Sequence, residues 1–495
     1  MEYLTSIFHL NVLLPWILAM ALGIFVGGMP GLTATMAVAL IVPLTFHMEP
    51  IAGLAMILGV SFTSIFAGDI PATFLRVPGT PASGAAVLDG YEMTRKGKGS
   101  VAIALDLICS FIGGLIGVFI LITISPVLAA FALKFTHFEY FWLAVLGLSM
   151  SAVISKGSNV KGLISMAAGI LLSTIGVDIT TGYPRFTFHN AELMGGIGFI
   201  PVMIGLFGVS EVFRSVLFAE NLHAAAITEK ISISLNSIGT IIRRNLRLIL
   251  QSSIIGTLIG ALPGAGADIA AWVAYGTAKK TSKHPEEFGN GSEEGVIAPT
   301  SANNAALGGT WIPALVFGIP GDTITAIVLG AMLMYGLRPG PLIFQGNRFF
   351  VNQIFSIALV SQFFLLIIGY LGIKAYTRIF KFPKSVVLVG ILIFSVIGSY
   401  ALRNSLFDVQ LMLVFGIVGF FMEKTDIPLA PLILGLILGP MIEENLRVGL
   451  VKSDGSFWPF FSRPISLFFF CLLLFLFAYE PIKKLIKLVL QKSRG

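Results

Sequence analysis

From Asn11 to Met48 the chain carries no Lys, Arg, Asp or Glu, and comparable apolar stretches recur at 101–124, 141–154, 248–262, 355–373, 386–397 and 466–477. A helix needs about 20 mostly apolar residues to cross a bilayer. At that length the pattern predicts roughly 12 to 14 spans, hence an all-α polytopic membrane protein of about twelve transmembrane helices. The first run contains GGMPGLTATMAVAL at 27–40, although glycine and proline cost about 1 and 3 kcal/mol relative to alanine inside a helix. One helix over 11–46 would be about 54 Å long against a hydrocarbon core of about 30 Å. It has to break, and Gly27, Gly28, Pro30 and Gly31 mark the place. Two arms of about 24 to 26 Å then suit a re-entrant hairpin.

The pattern repeats. GGMPGLTATMA at 27–37 returns as GALPGAGADIA at 260–270, with Pro263 standing 233 positions after Pro30. PATFLRVPGTPASGAAVL from Pro71 returns as PALVFGIPGDTITAIVLG from Pro313, with Pro320 standing 242 positions after Pro78. Order is kept and the offsets differ by 9, which predicts two tandem halves with two Pro-Gly interruptions each. The expected boundaries are 1–230 for the first repeat, 231–465 for the second, and 466–495 for a C-terminal helix and basic tail. Loop charge orients them. In the first half Arg95, Lys96 and Lys98 follow the second interruption; in the second half Lys279, Lys280 and Lys283 follow the first, and only Arg338 and Arg348 lie near the second. The positive-inside rule then inverts the halves and places the 95–98 loop and the C-terminus in the cytoplasm. Inverted repeats with helices interrupted in matching positions point to a secondary transporter that binds its substrate near the midplane. Helix kinking explains one Gly-Pro pair more easily than four in register.

Past each break a new half-helix offers free N–H groups and about +0.5 of partial charge, which suits a carboxylate. Irregular backbone at membrane depth is tolerated where it is buried or lines a wet cavity. The tips are therefore expected to line a substrate chamber: Gly28, Pro30, Gly31, Thr33 and Thr35 at the first; Pro78, Gly79, Thr80 and Ser83 at the second; Pro263, Gly264 and Gly266 at the third; Pro320, Gly321, Thr323 and Thr325 at the fourth. In SANNAALGG, Ser301, Asn303 and Asn304 sit in apolar sequence. The amides suit a carboxylate or cation, or alternatively interhelical hydrogen bonding and capping. Asp69, Asp268 and Asp322 adjoin interruptions and, with Asn303, are the coupling-ion candidates. Asp69 has three readings: a Na⁺ ligand, a proton carrier, or a partner of Arg76. Helix capping is an equal reading of Asp268 and Asp322. Asp106, with no motif around it, reads as structural.

Composition narrows the function classes. The chain is 56% hydrophobic and 12% charged, with a mean hydropathy of +0.91, whereas soluble domains carry roughly 25% charged residues. The net charge of +7 comes from short loops and from Lys483, Lys484, Lys487, Lys492 and Arg494, and no aromatic-interleaved basic stripe points to nucleic acid. The first run lacks the basic start of a signal peptide and is expected to be retained. Cys109 and Cys471 lie in apolar stretches and read as small hydrophobes, with no disulfide or metal pair expected. There is no phosphate loop, no H-E-x-x-H, no G-x-S-x-G and no histidine cluster, so an enzyme is not expected and uptake would draw on a Na⁺ or H⁺ gradient. A passive channel lined by the same tips, and a membrane-embedded hydrolase using Asp69 and Asp322, are the competing readings from other classes.

The motifs GMPGLTATMAVALIVPLTF, PGTPASGAAVLDGYEMTRKGKG, ALPGAGADIAAWVAY, GVIAPTSANNAALGGTWIPALVFGIPGD and RPGPLIF resemble the large membrane subunit of the tripartite tricarboxylate transporter (TctA) family, over about residues 12–345. The resemblance implies a permease of about twelve spans in the cell inner membrane, built from inverted repeats and with no resident cofactor. It would act with a small four-span membrane subunit and a periplasmic solute-binding protein to import citrate or C4-dicarboxylates with Na⁺ or H⁺. Membrane lipid is a further partner, and a homo-oligomer is left open. By position, Gly28–Gly31, Pro78–Thr80, Pro263–Gly266 and Pro320–Gly321, with Asn303 and Asn304, correspond to its substrate and cation chamber. Three places depart from the family pattern: Phe66-Ala67-Gly68-Asp69 in place of Tyr-Gly-Gly-Ser, Arg76 in place of Asn, and Pro299-Thr300-Ser301 in place of Pro-Glu-Ser. They open a second reading, a permease of the same fold that takes a different anion without a binding protein.

Overall fold

The structure is a computed structural model that describes residues 2–154, 158–178, 181–217, 235–379 and 383–492; side chains are described from residue 5 onward except at 235–237, 377–379, 384 and 479–492. The basic C-terminal side chains and the expected boundary at 230/231 lie outside the described residues. Among the described residues, nine helices are long and apolar enough to cross a membrane, and five shorter apolar helices accompany them. The chain is an all-α multi-pass membrane protein. Three of the shorter helices, Ala34–Thr45, Leu246–Gly260 and Thr323–Met334, adjoin the interruptions, so full-length spans fall short of the 12 to 14 read from hydropathy.

Contacts divide the chain into two compact units, one of residues 1–130 and 198–425, the other of 131–197 and 426–495. Each takes one earlier and one later segment, so the units interleave the tandem halves instead of following them.

In the first unit the helices that build the site region are α1 (Leu10–Gly27), α2 (Ala34–Thr45), α3 (Pro50–Leu75), α4 (Val87–Arg95), α5 (Gly99–Ala132), α6 (Leu246–Gly260), α7 (Gly266–Thr281), α8 (Glu293–Phe317), α9 (Thr323–Met334) and α10 (Arg348–Ile379). Helices α3 and α8 are apolar on every face and buried along almost their whole length, as expected of central helices. At 26 and 25 residues they are about 39 Å long, so the second interruption of each half ends a full span, whereas the first divides a run into shorter pieces.

The repetition extends to the backbone. Helix α1 packs on α3, and α6 on α8. A Cβ at Gly27 would run into the Ser64 carbonyl oxygen; at the offset positions, a Cβ at Gly260 would run into that of Ala306. Arg76 and Gly318 both end their helices in the left-handed region, at φ 62° and 69°. The next amides then donate to matching carbonyls, Val77 to Pro71 at 3.4 Å and Ile319 to Pro313 at 3.3 Å. Gly79 sits against the Gly27 carbonyl and Gly321 against that of Gly260.

The second unit packs His137–Ile154, Asn159–Ser173, Leu429–Lys452 and Pro464–Lys492 together. Half-buried charges hold it. Arg185 reaches Glu443 at 2.6 Å, Arg447 reaches Asp178 at 2.8 Å and Glu443 at 2.7 Å, and Glu139 accepts from Arg463 and Ser466. Cys109 and Cys471 are both free thiols.

Two equivalent substitutions test the repeat. Gly79→Ala and Gly321→Ala each place a Cβ within 3.0 Å of neighbouring backbone and are expected to cost about 1–3 kcal/mol, read as a lower melting temperature of the purified chain. Gly276→Ala, which meets nothing within 4 Å in a helix, should be neutral or stabilise by up to about 1 kcal/mol.

Candidate functional site

Three of the four interruptions are drawn together within the first unit. Helix α2 is capped by Thr33, whose hydroxyl accepts the Met36 N–H at 3.2 Å. Helix α9 is capped by Asp322, whose carboxylate accepts the Thr325 N–H at 2.7 Å while the Thr325 hydroxyl accepts the Asp322 N–H at 3.0 Å. Thr35, the second residue of α2, and Thr323, the first of α9, bring their Oγ1 atoms within 3.0 Å of each other. The N-termini of two half-helices from opposite repeats therefore meet. The third tip joins them, because Gly264 donates its N–H to the Gly321 carbonyl at 2.8 Å. It opens α7 without a side-chain cap. Gly31, Thr33, Thr35, Pro263, Gly264, Asp268, Asp322 and Thr323 are half-buried there, while Gly28, Pro30, Gly266, Pro320 and Gly321 are buried behind them.

The remaining tip turns inward. Pro78 is exposed, but Gly79, Thr80 and Ser83 are buried; Thr80 and Ser83 hydrogen-bond each other at 2.9 Å and press on Gly68. They belong to a second, fully enclosed group. Asp69, Asn303 and Asn304 are all completely buried. Asn303 Nδ2 donates to Asp69 Oδ2 at 3.2 Å, and Asn304 Nδ2 donates to the Ser110 carbonyl at 3.4 Å. The residues expected to form one chamber thus fall into two layers.

The structure places three acids that the sequence singled out. The Asp69–Arg76 pair does not form. Arg76 is the left-handed residue that ends α3; it turns outward, is exposed, and stands 5.6 Å over the Tyr91 ring. Asp322 is engaged in the capping box of α9 and stands outside the Asp69 group. Asp106, expected to be merely structural, is brought to the same group. It is fully buried, and Thr73, one turn beyond Asp69 on α3, donates to its Oδ2 at 3.0 Å. Its signal in the sequence was an acid inside a long apolar run.

Asp89 was missed altogether. Buried on α4, it accepts the N–H groups of Gly289, Gly291 and Ser292 at 2.9, 2.9 and 2.7 Å and the Tyr275 hydroxyl at 2.9 Å. It fixes the start of α8, the helix that carries Asn303 and Asn304. A groove of about 1670 Å³ lined by Lys96, Lys98, Arg244, Lys283, Glu286 and Glu293 contains none of the tip residues.

Residues 13–434 match the family described as Tripartite tricarboxylate transporter TctA family. The chain belongs to this family. Among curated proteins it is 36% identical over 445 residues to an "Uncharacterized 52.8 kDa protein in TAR-I ttuC' 3'region" of Agrobacterium vitis, covering 90% of this chain and 88% of that protein. A second protein of Agrobacterium vitis, "Uncharacterized protein in TAR-II ttuC' 3'region", is 36% identical over 211 residues, 43% of this chain and 87% of its own length. No solved structure matches. The TctA family is one of transporters, and the TctA chain is the large membrane subunit of a tripartite system.

Asp89→Ala strips the acceptor from three backbone N–H groups and a hydroxyl, at about 1–3 kcal/mol each, so a loss of at least about 3 kcal/mol is expected in thermal melts. Arg76→Ala, at an exposed position without an ion pair to Asp69, should stay within about 0.5 kcal/mol of the wild type.

Proposed function

We propose that this TctA-family chain imports tricarboxylates or dicarboxylates across the cell inner membrane by coupling to a Na⁺ or H⁺ gradient. It acts with a small four-span membrane subunit and takes its substrate from a periplasmic solute-binding protein. The observation that carries this reading is the 3.0 Å contact between Thr35 and Thr323. It joins the N-terminal ends of two half-helices from opposite repeats, beside a third half-helix whose N-terminus has no side-chain cap. Each such end contributes roughly half a positive charge, and a polycarboxylate is the small-molecule class whose several charges use several ends at once. Two hydroxyls in contact spend only one proton on each other, so the second proton is available to a carboxylate oxygen. Half-burial lets a ligand reach these groups, and the protein around them keeps the dielectric low.

The test is uptake into proteoliposomes holding the chain and its small partner subunit, supplied with a binding protein and labelled citrate or succinate under an imposed Na⁺ or pH gradient. Gradient-dependent, saturable uptake is expected. A Thr35→Val/Thr323→Val variant, folded by its melting profile, should lose about 10- to 100-fold in uptake, the scale of hydrogen bonds to a charged ligand. Linear, non-saturating flux would identify a channel, and wild-type uptake by the double variant would move the chamber elsewhere.

A further inference from the structure

Two buried carboxylates lie in the first unit without an ionic partner among the described residues. Asp69 on α3 and Asp106 on α5 are both completely buried. Among the described residues, no Lys, Arg or His forms an ion pair with either. Their donors occupy only one oxygen each: Asn303 Nδ2 takes Asp69 Oδ2, and Thr73 Oγ1 takes Asp106 Oδ2. The other oxygen of each carboxylate has no hydrogen-bond partner, and neither has the Oδ1 of Asn303. On the same turn of α8, the Asn304 Oδ1 and the Ser301 hydroxyl are buried and unpaired as well. Pro71, inside α3, has no N–H for the carbonyl of Ala67, which adds another acceptor in the turn that holds Asp69.

Acceptors outnumber donors here, even with the Ser83 hydroxyl beside Asp69. Buried polar groups are almost always hydrogen-bonded, and a buried charge without a counterion costs several kcal/mol. Two carboxylates and an amide oxygen, tied together through Thr73 and Asn303, are a donor set that suits a hard cation. An anion would be repelled by both acids.

We infer that Asp69, Asp106 and Asn303 form an interior binding site for Na⁺, held between α3, α5 and α8. One Na⁺ between the carboxylates is attracted to both. The site also adjoins the interruption after α3: Thr80 and Ser83 press on Gly68, the neighbour of Asp69. Filling it ties that interruption to the helices on which the tips are mounted. The coupling role rests on the carboxylate-uptake reading; the binding of Na⁺ does not.

The test is equilibrium binding of ²²Na⁺ to the purified full-length chain without carboxylate, in choline chloride at constant ionic strength. Wild type is expected to bind saturably. Asp69→Asn and Asp106→Asn, which keep shape and remove charge, should each weaken binding about 10- to 100-fold, the range seen when a metal site loses a supporting group. Asn303→Ala gives an independent reading should either acid variant fail to fold. Ser125→Ala, at a buried hydroxyl of α5 outside this group, should bind like the wild type. Absence of saturable Na⁺ binding in the wild type, or undiminished binding in Asp106→Asn, overturns the inference. Na⁺ binding that the variants lose, in a protein that moves neither citrate nor succinate, upholds the site and removes the carboxylate reading. Carboxylate uptake by a chain that binds no Na⁺ does the reverse.

Discussion

The constraint behind this architecture is that a broken helix inside a membrane exposes backbone N–H and C=O groups which lipid cannot satisfy. Every interruption in the first unit therefore has to be enclosed by protein. The chain does this by setting each break against the break or helix of its own repeat, so that Gly79 and Gly321 abut the ends of α1 and α6. It ties Gly264 to Gly321 within the second repeat and joins the two repeats through Thr35 and Thr323. The glycines are needed because the backbones approach to distances at which a Cβ does not fit. The same enclosure that satisfies the breaks creates a place where helix N-termini converge.

Electrostatics then separates the enclosed region into two layers. At the half-buried layer the helix N-termini and threonine hydroxyls can donate to an anion, with the carboxylates of Asp268 and Asp322 beside them. The enclosed group holds two carboxylates and amide oxygens with no cationic partner among the described residues, which suits a cation. If both sites fill as proposed, the coupling between them is reciprocal: each ligand changes the affinity for the other by the same factor.

What the sequence made legible was local chemistry. Pro-Gly pairs signal breaks because the proline lacks an N–H and the glycine accepts unusual backbone angles, and both properties travel with the residue. The repeat was legible because Pro30 and Pro263, and Pro78 and Pro320, keep their spacing, and the matching turns at Arg76 and Gly318 follow from it. What depends on distant packing was not legible. Arg76 lies seven positions from Asp69 yet faces away from it. Asp106 reaches Thr73, one turn from Asp69, from 33 residues further on, and Asp89 finds its donors about 200 residues further along the chain. The interleaving of the two compact units has no local signature at all, since it is set by which helices bury one another and not by chain order.

The central claim is that the starts of α2 and α9 form the carboxylate site, and its most direct test is ligand protection. In a Cys471→Ser background, where the other thiol, Cys109, is buried, Thr35→Cys and Thr323→Cys would each be reacted with a membrane-impermeant thiol reagent with and without citrate or succinate. The account predicts that one of these carboxylates slows modification at both positions several-fold, in proportion to its occupancy. Equal rates at both positions with and without either carboxylate, in protein that transports it, would contradict the claim.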